Sequence, residues 1–137
     1  MYGYMLDDDL YGVPRLYAAQ GVTCECPYVN HACEPNCHYG TGGEQFSIIA
    51  FRDIKPEEEL TVHYGCHDTE ASLWSGIDCK CGGPKCVGVL KFNFWRDEEF
   101  QRKYAHCLSA YINRKIKDLY TSSDSSNVDL NVSNNHK

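Results

Sequence analysis

Short apolar runs separated by turn residues dominate the first half of the chain. Residues 45–51 (QFSIIAF) follow a glycine-rich stretch and combine β-branched with aromatic side chains, which predicts a strand. Residues 59–64 (ELTVHY) alternate enough to predict a second short strand after a turn at Lys55 and Pro56. Residues 1–17 predict a loop or a short edge strand. The pattern therefore favours a mainly β fold.

Between residues 21 and 37 the chain crowds cysteines with prolines and asparagines, which interrupt any helical or strand period. This stretch predicts an ordered but irregular loop. A polar connector after Gly65 leads to a compact cysteine group at residues 79–86, which contains two glycines and a proline. That group is too short to enclose a core of its own.

The last third of the chain has the spacing of an amphipathic helix, with apolar residues at i, i+4 and i+7. These residues are Phe100, Tyr104, Cys107, Leu108, Tyr111, Ile112, Ile116 and Leu119. Acidic residues at the start and basic residues near the end suit the helix dipole. We therefore predict one helix over 96–120 and, because residues 121–137 are rich in serine and asparagine, a disordered tail after it.

Length and composition are those of a single globular domain. The chain has 137 residues, of which 42% are hydrophobic and 23% charged. It contains neither a long apolar run nor a basic leader followed by an apolar segment, so no membrane span and no secretory signal are expected. The expected location is intracellular. A reducing compartment disfavours disulfides, so the nine cysteines point to metal binding, with zinc as the default cation.

The formal net charge of −6 bears on the class of partner. A chain without a basic surface has little to grip phosphates with, so direct nucleic-acid binding is not expected. An acidic chain suits a basic peptide better. The sequence leaves the oligomeric state open.

Three motifs occur in a fixed order along the chain. Residues 30–36 read NHACEPN, residues 59–65 read ELTVHYG, and Cys79, Cys81 and Cys86 follow with the spacing CxCxxxxC. In this order they resemble the SET-domain methyltransferases, whose patterns are NHSCxPN, ELTxDYG and a post-SET CxCxxxxC. The resemblance covers residues 24–90 and implies a SET-type fold of short strands and ordered loops.

The resemblance also implies a division of the chain. Residues 1–78 correspond to the C-terminal portion of a SET domain, with a shortened N-terminal part, because the family's glycine-rich GxG motif has no counterpart before Cys24. Residues 79–95 correspond to a zinc-binding post-SET segment. The helical extension over 96–120 and the tail over 121–137 follow.

In this family the Asn-His pair lines the pocket for S-adenosylmethionine, so the resemblance implies cofactor contacts for Asn30 and His31, together with Tyr28. An asparagine amide offers both a donor and an acceptor, and the backbone of an irregular loop is free to bind a ligand. The alternative from the residues alone is that Asn30 and His31 stabilise a turn.

The catalytic tyrosine of the family ends the ELTxDY motif and corresponds to Tyr64. Methyl transfer to lysine needs a neutral amine, and deprotonating a lysine of pKa about 10.4 near neutral pH costs about 4 kcal/mol. A dry, narrow channel would lower that cost, and Tyr64 would orient the amine for in-line attack. The alternative is a tyrosine that packs at the end of a strand.

Three thiolates of the cysteine loop are one short of a tetrahedral zinc site. The resemblance supplies the fourth ligand as Cys33, so that one zinc would join Cys79, Cys81 and Cys86 to the NHACEPN loop. The remaining cysteines either form a second metal site or are free thiols, and Cys107 is interpreted as a small buried hydrophobe. These remaining cysteines are Cys24, Cys26, Cys37 and Cys66.

The resemblance implies a protein-lysine methyltransferase that uses S-adenosylmethionine, acts on a protein lysine, possibly of a histone tail, and resides in the nucleus. Three residues depart from the family motifs. They are His63 for the aspartate of ELTxDYG, Ala32 for the serine of NHSC, and Pro27 for the arginine that often precedes the Asn-His loop. Aromatic residues 92, 94 and 95 either cover the channel or pack in the interior. The alternative functions are a catalytically inactive, zinc-stabilised interaction module and a zinc-binding adaptor.

Overall fold

A computed structural model describes residues 4–12, 28–41 and 47–125 of the chain. Its strands are β1 (Tyr4–Asp7), β2 (Leu10–Gly12), β3 (Asn30–His31), β4 (Cys37–Tyr39), β5 (Ile48–Ala50), β6 (Thr61–Val62), β7 (Ile77–Asp78) and β8 (Val89–Leu90). Its 3-10 helices include Tyr64–Cys66 and Phe94–Arg96, and its α-helices are α1 (Glu98–Tyr104) and α2 (Ala110–Ser125). The prediction of short strands and loops with a C-terminal helix is confirmed.

The described strands form two-stranded sheets. β1 with β2, β4 with β5, and β7 with β8 are antiparallel neighbours. β3 and β6 instead pair in parallel, with Asn30 opposite Thr61. The pairing continues where the Ala32 N–H donates to the Val62 carbonyl at 3.0 Å. Parallel strands need a long crossover between them, so this pair brings together two segments that are far apart in the sequence.

The two strands predicted over 45–51 and 59–64 contain β5 and β6, which are shorter than predicted. The second is cut short at His63, whose Nδ1 accepts a hydrogen bond from the Gly65 N–H at 3.1 Å and so caps a 3-10 helix. The irregular loop predicted over 21–37 is described from residue 28 onward, where it carries β3 and the first residue of β4.

Within the described residues, two groups of buried side chains form the core. The larger group packs the C-terminal helices against β1 and the two 3-10 helices, and it comprises Met5, Cys66, Trp95, Phe100, Tyr104, Cys107, Leu108, Tyr111 and Ile112. The smaller group comprises Val29, Cys37, Tyr39 and Val62. Because burial of apolar surface is the main favourable term in folding, this packing stabilises β1 and the two 3-10 helices.

The C-terminal helical region consists of two helices instead of the single helix predicted over 96–120. Residues 105–109 separate the two helices. The Ser109 N–H donates to the Cys66 carbonyl at 2.9 Å and therefore forms no hydrogen bond within a helix. Its Oγ accepts a hydrogen bond from the Ile112 N–H at 3.2 Å. Serine is a preferred N-cap residue, and here it starts α2.

The second helix continues through Ser125, past the predicted helix end at Tyr120. The first residues of the tail predicted to be disordered over 121–137 are therefore helical. Residues 126–137 lie outside the described part of the chain. Within the described part, each helix is too short or too polar to cross a lipid bilayer.

Asn36 joins the segment before β4 to the segment before β6. Its side chain is only 4% exposed, and its Oδ1 accepts a hydrogen bond from the Thr61 N–H at 2.9 Å. Its Nδ2 donates to the Glu59 carbonyl at 2.9 Å and to Glu58 Oε1 at 3.0 Å. Together with Arg52, Asn36 lowers the pKa of the Glu58 carboxyl to about 2.

The hydroxyl group of Tyr104 is buried without a hydrogen-bond partner among the described residues. Removing an unpaired buried hydroxyl recovers part of its desolvation penalty. We therefore expect Tyr104→Phe to raise the free energy of unfolding by about 1 kcal/mol in urea denaturation. Tyr111→Phe is the matched control, because this tyrosine is equally buried but its hydroxyl bonds with Thr69 and Asp8. Equal losses of stability in both variants would contradict the prediction.

Asn36→Ala is expected to lower the free energy of unfolding by about 2–4 kcal/mol, because it leaves a buried backbone N–H and a carbonyl unpaired. Thermal or urea denaturation would measure the change. Asn93→Ala is the control, since Asn93 is exposed and its side chain caps no helix. If the two alanine variants were equally stable, Asn36 would not hold the two segments together.

Candidate active site and cysteine cluster

A cavity of about 350 Å³ opens between the β3–β6 pair and the β7–β8 hairpin. Its lining residues are Asn30, His31, Ala32, Glu59, Thr61, Tyr64, Ile77, Asp78, Cys79, Lys80, Cys81 and Leu90. The parallel pairing explains the convergence, because it sets the loop after β3 beside the chain that leaves β6. Candidate residues from all three sequence motifs therefore line one cavity.

Tyr64 is the first residue of the 3-10 helix that follows β6. Its hydroxyl donates a hydrogen bond to the Val29 carbonyl at 2.9 Å. Burial raises the pKa of this phenol, and the negative charge of Asp68 raises it further. The hydroxyl group therefore stays protonated at neutral pH, which makes it a hydrogen-bonding group and not a base.

Asn30 lies at the exposed rim of the cavity, where its Nδ2 donates to Glu59 Oε1 at 2.7 Å. The carboxylate thus fixes the orientation of the Asn30 amide. Tyr28, the third residue expected at the cofactor, has a side chain that is 63% exposed and does not line this cavity.

His31 is held at both ring nitrogens. Its Nδ1 accepts a hydrogen bond from the Tyr64 N–H at 3.1 Å, and its Nε2 lies 3.4 Å from Cys33 Sγ. Burial lowers the pKa of the ring to about 4, so the imidazole is neutral at pH 7. Both polar atoms of the side chain that the resemblance places at the cofactor therefore have partners within the protein.

His63 replaces the aspartate of the family motif and has a structural role that the sequence did not indicate. The ring is buried and packs edge-on against Phe94 and Phe100, with centroids 4.7 and 4.9 Å away. Burial lowers its pKa well below the ordinary value. A Cβ at Gly65 would lie 2.6 Å from Phe94 Cδ2, so a side chain there would displace this packing.

The aromatic residues after the cysteine loop pack in the interior. Phe92 is fully buried, Phe94 is half-buried against His63, and the Trp95 indole donates to Glu70 Oε2 at 2.8 Å. None of the three lines the 350 Å³ cavity. Of the two interpretations of these residues, the structure supports packing.

Four cysteine side chains converge beside the cavity. Their ligand atoms all lie within 4.8 Å of one another, and the residues are Cys33, Cys79, Cys81 and Cys86. The two sulfurs of Cys33 and Cys79 are 3.7 Å apart. A tetrahedral zinc site with Zn–S bonds of about 2.3 Å has sulfurs about 3.8 Å apart, so the donor set fits this ion.

The local backbone shapes this cysteine cluster. Cys79 follows β7, and its N–H donates to the Gly88 carbonyl at 2.7 Å, which closes the loop at its base. Burial raises the pKa of the Cys79 thiol to about 12, whereas backbone hydrogen bonds from Cys33 and Gly83 lower that of Cys81 to about 6. A bound cation lowers the pKa of a coordinating thiol, so zinc would favour the thiolate form of Cys79 despite its burial.

The other cysteines of the described part lie apart from the cluster. Cys37 belongs to the smaller core group, and Cys66 and Cys107 belong to the larger one. All three are free thiols, and within the described residues no second group of metal-ligating side chains occurs. Cys24 and Cys26, which with Cys37 and Cys66 were candidates for a second metal site, lie outside the described residues.

Part of the chain is similar to known proteins. Residues 3–65 match the model of the SET domain. The chain is similar to Histone-lysine N-methyltransferase TRX1 of Oryza sativa subsp. japonica, with 37% identity over 93 residues, covering 65% of this chain and 8% of that protein. It is also similar to Histone-lysine N-methyltransferase ash1 of Drosophila melanogaster, with 36% identity over 75 residues, covering 52% of this chain and 3% of that protein.

A third relative is the Histone-lysine N-methyltransferase, H3 lysine-4 specific, of Saccharomyces cerevisiae (strain ATCC 204508 / S288c), with 39% identity over 67 residues, 46% of this chain and 6% of that protein. The chain thus spans only a small part of each of these curated relatives. No solved structure matches it at a significant level. The match of residues 3–65 to the SET domain and the similarity to these enzymes support a place for this chain in the SET-domain methyltransferase family.

Proposed function

We propose that the cavity around Tyr64 binds S-adenosylmethionine and a lysine side chain, and that the chain carries the methyl-transfer site of a protein-lysine methyltransferase. The convergence of Asn30, His31 and Tyr64 on one cavity beside the cysteine cluster supports this most strongly. The similar proteins are histone-lysine methyltransferases by name, so a histone tail is the proposed substrate and the nucleus the proposed location.

The chemistry of the cavity suits a cationic ligand. S-adenosylmethionine supplies a methyl group on a positively charged sulfonium. The carboxylates of Glu59 and Asp78 line the cavity against the single ammonium group of Lys80, so the lining favours positive charge. A volume of about 350 Å³ lies within the usual range of small-molecule sites.

Tyr64 acts in this proposal by orientation. Its protonated hydroxyl donates to the Val29 carbonyl, and the hydroxyl oxygen is the proposed acceptor for a hydrogen bond from the lysine amine. The raised pKa of the phenol excludes a general-base role at neutral pH. The attacking amine has to lose its proton. Desolvation beside the half-buried Tyr64 would lower the pKa of the amine, although the carboxylates elsewhere in the lining favour a cation. Alignment supplies much of the rate.

The cysteine cluster is proposed to bind one zinc ion through Cys33, Cys79, Cys81 and Cys86. The ion would tie residues 79–95, the proposed post-SET segment, to the loop after β3. Since Cys79 and Cys81 also line the cavity, a metal there would stabilise one of its walls. The divisions at 78/79 and 95/96 are proposed on the same basis, and helices α1 and α2 form the extension after residue 95.

Zinc binding predicts a defined metal content. The purified chain is expected to carry one zinc ion, measured by release into a chromophoric chelator, and to lose thermal stability when a strong chelator removes it. Cys86→Ser is expected to lower the zinc content well below one. Cys107→Ala is the control, because that thiol is buried away from the cluster. A full zinc content in Cys86→Ser would contradict the proposed ligand set.

If the chain transfers methyl groups, a substitution at Tyr64 is expected to affect methyl transfer without affecting cofactor binding. The zinc-loaded chain is expected to bind S-adenosylmethionine in calorimetric titration and to methylate histone-tail peptides. Tyr64→Phe is expected to keep cofactor binding and to lose about 100-fold in methyl transfer, because one hydrogen bond that orients the reacting group is removed.

Tyr120→Phe is the matched control for Tyr64→Phe, since Tyr120 is exposed on α2 and bonds with Gln101. We expect this control to transfer methyl groups at the rate of the unchanged chain. Absence of cofactor binding by the zinc-loaded chain would refute the methyltransferase proposal and favour an interaction module stabilised by zinc.

A further inference from the structure

We propose that His31 is a positioning residue whose ring couples the cysteine cluster to Tyr64. One ring nitrogen bonds with the sulfur of Cys33, a proposed metal ligand, and the other bonds with the backbone N–H of Tyr64. This inference deepens the proposed function and rests on metal binding by the cluster. It assigns to the ring neither cofactor binding nor metal ligation. The four sulfurs converge without a ring nitrogen of His31.

The hydrogen-bond partners fix the tautomer of this ring. A backbone N–H can only donate, so Nδ1, which lies 3.1 Å from the Tyr64 nitrogen, must accept. In a neutral imidazole the proton then resides on Nε2. The Nε2 nitrogen lies 3.4 Å from Cys33 Sγ, so its N–H donates to that sulfur. Each nitrogen therefore has one defined partner.

The surroundings of the ring exclude the other tautomer. A proton on Nδ1 would face the Tyr64 N–H, so two donors would meet in a half-buried site. The ring is also confined by its neighbours, with its centroid 4.8 Å from that of His63 and 5.3 Å from that of Tyr64. The pairing of β3 with β6 fixes the backbone from which the ring projects.

The consequence is a link between metal binding and the tyrosine. A donor aimed at a thiolate sulfur stabilises its negative charge and orients the ligand, and removing such a group typically weakens metal binding about 10–100-fold. The other end of the same ring holds the N–H of Tyr64 in the 3-10 helix. The position of the phenol therefore depends on the ring that orients Cys33.

Two substitutions separate the two ends of the ring. In His31→Asn, the amide oxygen can take the place of Nδ1 and accept from Tyr64, but nothing reaches Cys33. In His31→Gln, the longer side chain can place its amide nitrogen near Nε2 and donate to Cys33, but the acceptor for Tyr64 is lost. Both substitutions keep a polar, uncharged side chain, so each is the control for the other.

Cobalt(II) replaces zinc as a coloured probe of the cluster, because cobalt–thiolate bonds give intense charge-transfer absorption. We expect His31→Asn to bind cobalt about 10–100-fold more weakly than the unchanged chain and to shift this absorption, while His31→Gln stays within about threefold. Conversely, amide hydrogen exchange at Tyr64, followed by NMR, is expected to accelerate in His31→Gln and to stay slow in His31→Asn.

The unchanged chain provides a test that does not depend on how the variants fold. Long-range nitrogen–proton NMR spectra are expected to show His31 with its proton on Nε2, and a proton on Nδ1 overturns the inference. Equal cobalt affinity of His31→Asn and the unchanged chain also overturns it, while leaving the metal site in place. Failure of the unchanged chain to bind cobalt overturns the proposed metal site and this inference together.

Discussion

The parallel pairing of β3 with β6 is the contact on which the candidate site depends. Only two residues of each strand take part, with Asn30 opposite Thr61, yet the pairing joins two loops that lie some thirty residues apart in the sequence. The buried Asn36 amide reinforces it by bonding with the Thr61 backbone and the Glu59 carbonyl. Because so few backbone hydrogen bonds hold the pair, buried side-chain hydrogen bonds supply much of the register.

Burial sets the protonation of the groups around this pairing. The rings of His31 and His63 are neutral because desolvation lowers their pKa values, and the phenol of Tyr64 stays protonated because desolvation raises its own. A neutral imidazole can accept at one nitrogen and donate at the other, which a charged ring cannot do. Desolvation beside the phenol would likewise favour the neutral form of a lysine amine, as the proposed reaction needs.

The helices support the site from behind. Ser109, the N-cap of α2, bonds with the carbonyl of Cys66 at the end of the 3-10 helix that begins with Tyr64. On the other side, Arg114 of α2 donates to the Leu6 carbonyl at 2.7 Å, which ties β1 to the same helix. The position of Tyr64 therefore depends on tertiary contacts of helices that do not reach the cavity. The two cysteines of the larger core group add to this packing as small buried side chains.

The sequence by itself determined the motifs, their order, the mainly β character and three of the converging cysteines, since these follow from residue type and spacing. The fourth cysteine, Cys33, came from the resemblance to the family. Tertiary structure decided where the strands end, because His63 caps a 3-10 helix, and where the helix breaks, because Ser109 bonds with Cys66. Apolar periodicity shows no such break, since residues on both sides still face one core. Tertiary structure also decided the contacts of His31. Its residue type permits a ligand contact, but only the neighbouring Tyr64 N–H and Cys33 sulfur, brought close by the parallel pairing, engage both ring nitrogens.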